Sequence, residues 1–410
     1  MTAGWQRRGY NVACMRALAR TALPRPVFDF ADGGAEDERT LRGNEAAFAD
    51  LALLPRPMNG PATRDLSVDL FGTTLALPVL IGPTGLAGLF WPDAERLAAR
   101  AAAAAGTAYC LSHGSVCTLE KLAELGTAPR WMQVFVYNDR EFMRALIARA
   151  AAAGYHALVL TIDNQLLGNR ERDVRNGFTI PPRFGPGEVV GMALKLPWLR
   201  RMYRELPRIT FGNYVRPGVT EDISRMAARM AHLLDPALNW ADVDEIRQLW
   251  KGPLLLKGVL HPAEAAEAMA RGVDGLIVSN HGGRQLDGAV TSLAALPGVL
   301  EVVGGRVPVL IDGGVRRGAD VVKALALGAT ACLIGRPALW GVSVAGEAGV
   351  AHVLDIFRRE IDRAMGLVGA ARIADLGPDL LFRGNAPCPI FPSSTVTSIS
   401  MTSPVSAIVG

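Results

Sequence analysis

From residue 78 onward the chain alternates between short, continuously apolar runs and Ala/Leu-rich stretches with helical punctuation. The runs are Pro78-Val-Leu-Ile-Gly, Thr107-Ala-Tyr-Cys-Leu-Ser, Trp131-Met-Gln-Val-Phe-Val-Tyr, Ala157-Leu-Val-Leu-Thr-Ile-Asp, Leu254-Leu-Leu-Lys-Gly, Gly275-Leu-Ile-Val-Ser-Asn, Val307-Pro-Val-Leu-Ile-Asp and Ala331-Cys-Leu-Ile-Gly. Runs without polar alternation fit strands buried on both faces of a parallel sheet. Between them, Pro92 to Gly106, Asp139 to Gly154, Pro262 to Gly272 and Gly318 to Gly328 read as helices. Proline or an acid near the start and glycine past the end is the expected helix asymmetry. Eight such units predict an α/β fold, a closed (β/α)8 TIM barrel, with a doubly wound sheet as the alternative.

The repeating pattern covers 78–163 and 241–369, which leaves an N-terminal helical segment (1–77) and a long insertion after the fourth strand (164–240). We read 1–380 as one domain and 381–410, uncharged from residue 384 onward, as a poorly ordered tail. Half the residues are hydrophobic and a fifth are charged, which excludes a disordered chain. With 43 basic against 39 acidic residues there is no basic excess for nucleic acid. Mean hydropathy of +0.21 raises the question of a membrane. The longest apolar uncharged run, Leu70 to Trp91, is broken by Gly72, Pro78, Gly82, Pro83, Gly85 and Gly88, so it does not read as a spanning helix. The basic N-terminus lacks the apolar core of a signal peptide. Five scattered cysteines without CxxC pairing suggest a reducing, cytoplasmic setting and no metal site.

Barrels of this kind carry their chemistry at the carboxyl ends of the strands. The polar groups there are Thr84 between Pro83 and Gly85, Ser112, Gln133, Thr161 with Asp163, Lys257, His281 with Arg284, Asp312 with Arg316, and Arg336 after Gly335. After the seventh strand, Asp312-Gly313-Gly314 leads to Arg316, and Gly335-Arg336 follows the eighth. Small residues at helix starts beside arginines suit a phosphate. No GxGxxG follows an early strand, so a mononucleotide cofactor or a phosphorylated substrate is expected rather than a dinucleotide. Lys257 suits either a fixed cation beside a reduced flavin or, if desolvated, a Schiff base. His281 can take a proton near neutral pH, with Asp163 to orient it, and Arg284 offers a fork for a carboxylate.

The segments SNHGGRQLD (279–287), LLLKG (254–258), IDGGVRRGADVVKALALGA (311–329), GPTG (82–85) and FDFADGGAEDE (28–38) resemble the FMN-dependent α-hydroxy-acid oxidoreductases. That family includes glycolate oxidase, L-lactate dehydrogenase and mandelate dehydrogenase. The resemblance runs from about residue 14 to 380 and looks closest to the bacterial membrane-associated enzymes. It implies FMN as cofactor, His281 as base supported by Asp163, and Arg170 with Arg284 clamping the substrate carboxylate. It further implies Lys257 at the N1/O2 side of the flavin. Pro83, Thr84, Gly85, Ser112, Gln133 and Thr161 would lie along the ring or ribityl chain, and Asp312, Gly313, Gly314, Arg316, Gly335 and Arg336 would hold ribityl and phosphate. A homotetramer is also implied.

Two departures stand out: Phe30 and Phe135 occupy positions where the family usually has tyrosines that contact the substrate. Tyr137, one repeat further along the strand, is a poor substitute. The paired phenylalanines, with Gly114 in place of a bulky aromatic, point to a larger or aryl α-hydroxy acid. Gly85 points to a quinone or other carrier as electron acceptor. The alternatives are an oxygen-using oxidase and a flavin-binding relative with weak turnover. Residues 183–216 hold seven basic and two acidic side chains among apolar residues that include Trp198. They read as an active-site lid or as a contact with the inner face of the cell membrane, which deletion would abolish with activity kept.

Overall fold

The structure, a computed structural model, describes residues 4–178, 183–214 and 234–383. Eight parallel strands follow one another around a closed barrel: Val79–Ile81, Tyr109–Leu111, Arg130–Val134, Ala157–Thr161, Leu254–Val259, Gly275–Val278, Val309–Ile311 and Ala331–Ile334. Each expected run supplies one strand. Leu333 of the last strand lies opposite Leu80 of the first, and this closure eliminates the doubly wound alternative.

The absence of polar alternation now has its cause. Leu80, Cys110, Val159, Leu255, Ile277, Leu310 and Leu333 form a buried cluster inside the barrel. Their neighbours Val79, Ile81, Leu111, Leu158, Leu160, Leu254 and Leu256 pack in a second cluster against the helices. Successive residues point to opposite faces and both faces are dry, so both must be apolar. A hairpin, Val68–Leu70 with Thr73–Leu75, joins the inner cluster through Leu70, Leu75 and Phe71. Gly275 makes room for it, since a Cβ there would meet Phe71 Cζ at 3.0 Å.

The helices Ala94–Ala104, Arg140–Ala152, Pro262–Ala270 and Gly318–Ala326 match the punctuation read from the sequence. Asp139 caps the second of these by accepting a hydrogen bond from Phe142 N. The last helix, Arg336–Val368, is interrupted at Ala345-Gly346 by non-helical backbone. Leu381–Arg383 pairs with Leu51–Leu53, so these three residues belong to the folded unit. The rest of the expected tail, 384–410, lies outside the described residues.

Candidate active site

A cavity of about 300 Å³ opens at the carboxyl ends of the strands. Every strand exit contributes: Pro83, Thr84 and Gly85; Ser112; Gln133 and Phe135; Thr161; Lys257; His281 and Arg284; Asp312, Gly313, Gly314 and Arg316; Gly335 and Arg336. Phe30 enters from the N-terminal segment and Arg170 from the insertion. Asp163 stands behind the wall, its Oδ1 2.9 Å from His281 Nδ1.

The loop that carries His281 is held by the N-terminal segment, from Ala35 to Asn44. Asn280 and Asn44 exchange two amide hydrogen bonds of 2.8 Å. Ala35 N donates to Gly283 O, and the amides of Arg39 and Thr40 donate to Asp287. His281 itself has φ +57°, a left-handed conformation costly for a residue with a Cβ. Its amide is tied to Ser279 Oγ at 3.0 Å, which helps hold that turn. With Nδ1 committed to Asp163, Nε2 is the ring nitrogen left for chemistry. Desolvation lowers the pKa of His281 despite the opposing pull of Asp163, so the imidazole is neutral at pH 7.

The cavity is rich in positive charge. Burial works against the charge on Lys257, but Asp312 at 3.0 Å and Asp163 outweigh it and raise its pKa. Lys257 also donates to Ser279 Oγ at 2.8 Å. A lysine held as a cation is a poor Schiff-base nucleophile, which argues against that use. Desolvation holds Arg284 well below the usual guanidinium value, and Arg170 and Arg336 add repulsion. Arg170 is lowered by desolvation too, and its buried Nε has no partner among the described residues. Two guanidiniums that repel each other on one wall form a receptor for an anion.

The family match is consistent with this arrangement, covering residues 19–383 under the description FMN-dependent dehydrogenase. The chain belongs to that family. It is 43% identical over 368 residues to an L-lactate dehydrogenase of Caulobacter vibrioides, covering 89% of this chain and 96% of the relative. It is 41% identical over 369 residues to an L-lactate oxidase of Nostoc sp., covering 89% and 95%. The crystal structure of the monotopic membrane protein (S)-mandelate dehydrogenase superposes with a TM-score of 0.88 at 38% identity, covering 91% of this chain and 99% of that one. The chain is thus an FMN-dependent oxidoreductase, as its motifs implied.

The residues present fit FMN. Thr161 Oγ1, Asn164 Oδ1 and Asp312 Oδ1 are buried atoms without partners among the described residues, on side chains that line the cavity. Gly313 and Gly314 have φ near +90°, and a Cβ on Gly314 would meet Asn44 O at 2.2 Å, so backbone lies where side chains cannot. Beside them, Arg336 is pushed down to about 10 by burial and by Arg316, the signature of positive charge short of a counter-ion. Arg336 donates to Ala31 O, Gly282 O and Gly33 O, while Arg316 pairs with Glu45. What this end offers a phosphate is therefore a field as much as hydrogen bonds.

Sequence reasoning missed several wall residues of this dehydrogenase. His113, Phe211 and Tyr214 line the cavity, the last two delivered by the insertion. Gly114 does not simply enlarge the pocket, because its Cβ position is 3.7 Å from the Phe211 ring. Tyr137 is fully buried and does not line the cavity. Trp198 is no surface anchor: it is buried and its indole N–H donates to Leu89 O at 3.1 Å. Deleting 183–216 would remove Phe211 and Tyr214 from the site, so that deletion is no clean test of membrane contact. No signal short of the fold marks Phe211 and Tyr214, since insertion residues carry no strand-end position, whereas His113 lies two residues past the end of the second strand.

Proposed function

We propose that the enzyme oxidises an L-α-hydroxy acid to the α-keto acid and passes the electrons on to a quinone or other carrier. The observation that carries this reading is a neutral base, His281 bonded to Asp163, beside the arginine pair Arg170 and Arg284. The two arginines bind the substrate carboxylate, and the anion offsets their mutual repulsion. Bound FMN supplies the two-electron acceptor for the Cα–H bond. His281 Nε2 accepts the proton released as the α-carbon is oxidised, and Asp163 stabilises the imidazolium that results. Lys257, fixed by Asp312, is the cation for the N1/O2 side of the flavin.

Phe30, Phe135, Phe211, Leu167 and Leu234 give the cavity an apolar wall suited to an aryl substituent. Burying a ring there contributes about 1.5–3 kcal/mol, so mandelate is expected to surpass lactate and glycolate in kcat/KM by at least ~10-fold. Anaerobic bleaching of the flavin by the three acids measures this. Preference for the small acids removes the aryl reading, and flavin that stays yellow with all of them removes the catalytic one. Admitting air afterwards and counting peroxide against keto acid separates a carrier-linked enzyme from an oxidase.

The pH dependence has a fixed sign. His281 must be neutral to act, and its pKa is lowered, so kcat/KM is expected to fall only below the ordinary histidine value. Asp163 raises that pKa. Asp163→Asn should therefore move the acid limb to still lower pH while lowering the plateau. An unmoved limb assigns it to another group.

We also propose peripheral attachment to an anionic membrane, as a homotetramer whose mass light scattering would check. Among the described residues no helix is long and apolar enough to cross a membrane. Val189, Val190, Leu194, Leu196 and Tyr203 are 51–75% exposed, with Arg200, Arg204 and Arg208 exposed among them. Such a surface suits a lipid interface. Replacing Val189, Val190 and Leu194 by serine should cut partition into anionic vesicles on the order of 100-fold, at ~1 kcal/mol each, with turnover in solution kept. Unchanged partition excludes this surface.

A further inference from the structure

His113 comes from the loop after the second strand, and its ring is locked in place. It meets Phe135 edge-on at 4.3 Å between centroids, and its amide donates to Gln133 Oε1 at 3.2 Å. Its carbonyl accepts from Asn213, whose side chain also holds Ser115 Oγ and Leu119 N. Tyr214 follows Asn213, stacks on Phe142, and bonds through its hydroxyl to His113 Nδ1. His113 Nε2 bonds to none of the described residues. His113 and His281 line the same cavity, and a proton on His281 would lower the His113 pKa further.

The hydrogen bonds behind this ring bear on its tautomer. The Phe135 amide, which can only donate, reaches Tyr137 Oη at 3.5 Å. Tyr137 is in turn hydrogen-bonded to Tyr214. When Tyr137 passes its proton towards Tyr214, the Tyr214 hydroxyl is left to donate to His113 Nδ1. A neutral imidazole that accepts at Nδ1 carries its proton at Nε2. Burial pushes the His113 pKa down to about 3, so the ring stays neutral at every working pH. His281 and His113 then play opposite parts, one accepting a proton and the other offering an N–H.

Resting on the α-hydroxy-acid reading, we propose that His113 donates its Nε2–H to the oxygen on the substrate's α-carbon, and that Tyr214 is the positioning residue that fixes this tautomer. That oxygen changes from hydroxyl to carbonyl during the reaction, and a permanent donor serves both forms. Phe135 cannot serve, and Gly114 and Phe211 on the same wall have no polar side-chain atom.

The test compares two ligands of the holoenzyme, read by perturbation of the flavin absorbance: phenylglyoxylate, with an α-oxygen, and phenylacetate, without one. His113→Leu is expected to weaken phenylglyoxylate about 10-fold, the loss of one hydrogen bond at ~1.4 kcal/mol, and to leave phenylacetate unchanged. Tyr214→Phe should give a smaller loss of the same selectivity, and His113→Gln, which keeps an N–H, should restore part of it. Equal weakening of both ligands, or an unchanged ratio, overturns the assignment of His113. Bleaching of the wild type by hydroxy acids tests the underlying reading separately. If the wild type is bleached and the ratio is unchanged, His113 alone is wrong; if it is not bleached, both fall.

Discussion

His281→Gln is expected to lower kcat by about 10²–10⁴-fold, the usual worth of a positioned general base, with FMN content and melting temperature close to wild type. Glutamine has an amide N–H that can replace Nδ1 in the bond to Asp163, so that carboxylate is not stranded. The amide has no basicity to take the proton. The left-handed turn is tolerable for an unbranched side chain, and it is held by Ser279 Oγ and the Asn44–Asn280 pair, which the substitution does not touch. Stopped-flow bleaching, normalised to flavin bound, gives the number. The acid limb of the pH profile should vanish along with the rate. A variant retaining more than a tenth of wild-type kcat would remove His281 as the base.

The fold and the candidate site were legible for different reasons. Eight apolar runs without alternation specify a two-sided dry sheet, and strand exits in a barrel converge by topology, so Lys257, His281 and Asp312 meet although 55 residues separate the first from the last. Asp163 was legible because it lies two residues past Thr161, the end of the fourth strand. His113 and Tyr214 were not, although His113 also follows a strand end. Their partnership spans about 100 positions and depends on how the insertion folds back over the loop after the second strand. Trp198 misled for a related reason. Apolar residues among arginines look alike whether they face lipid or core, and Leu89 O decides it for this one. The insertion is consequently part wall and part exposed surface, rather than lid or membrane contact alone.

Arg170→Met should lower kcat/KM by roughly 10–150-fold, the value of one hydrogen bond to a charged group at about 1.5–3 kcal/mol, without lowering the melting temperature. Arg170 is the cleaner of the two arginines to remove. Arg284 donates to Phe30 O and Gly33 O, so its loss also frees the N-terminal segment from the site and costs stability. Arg170 Nε makes no such bond among the described residues, and its charge depresses the pKa of both Arg284 and His281. Removing it relieves repulsion in the ligand-free protein, so the fold should hold or gain stability while binding suffers. The same relief raises the pKa of His281 and moves the acid limb of kcat/KM upward, opposite to the shift expected of Asp163→Asn. The rates, the melting curve and the direction of the pH limb together separate a carboxylate clamp from a structural arginine. A fall in melting temperature with kcat/KM unchanged would place Arg170 in the second class.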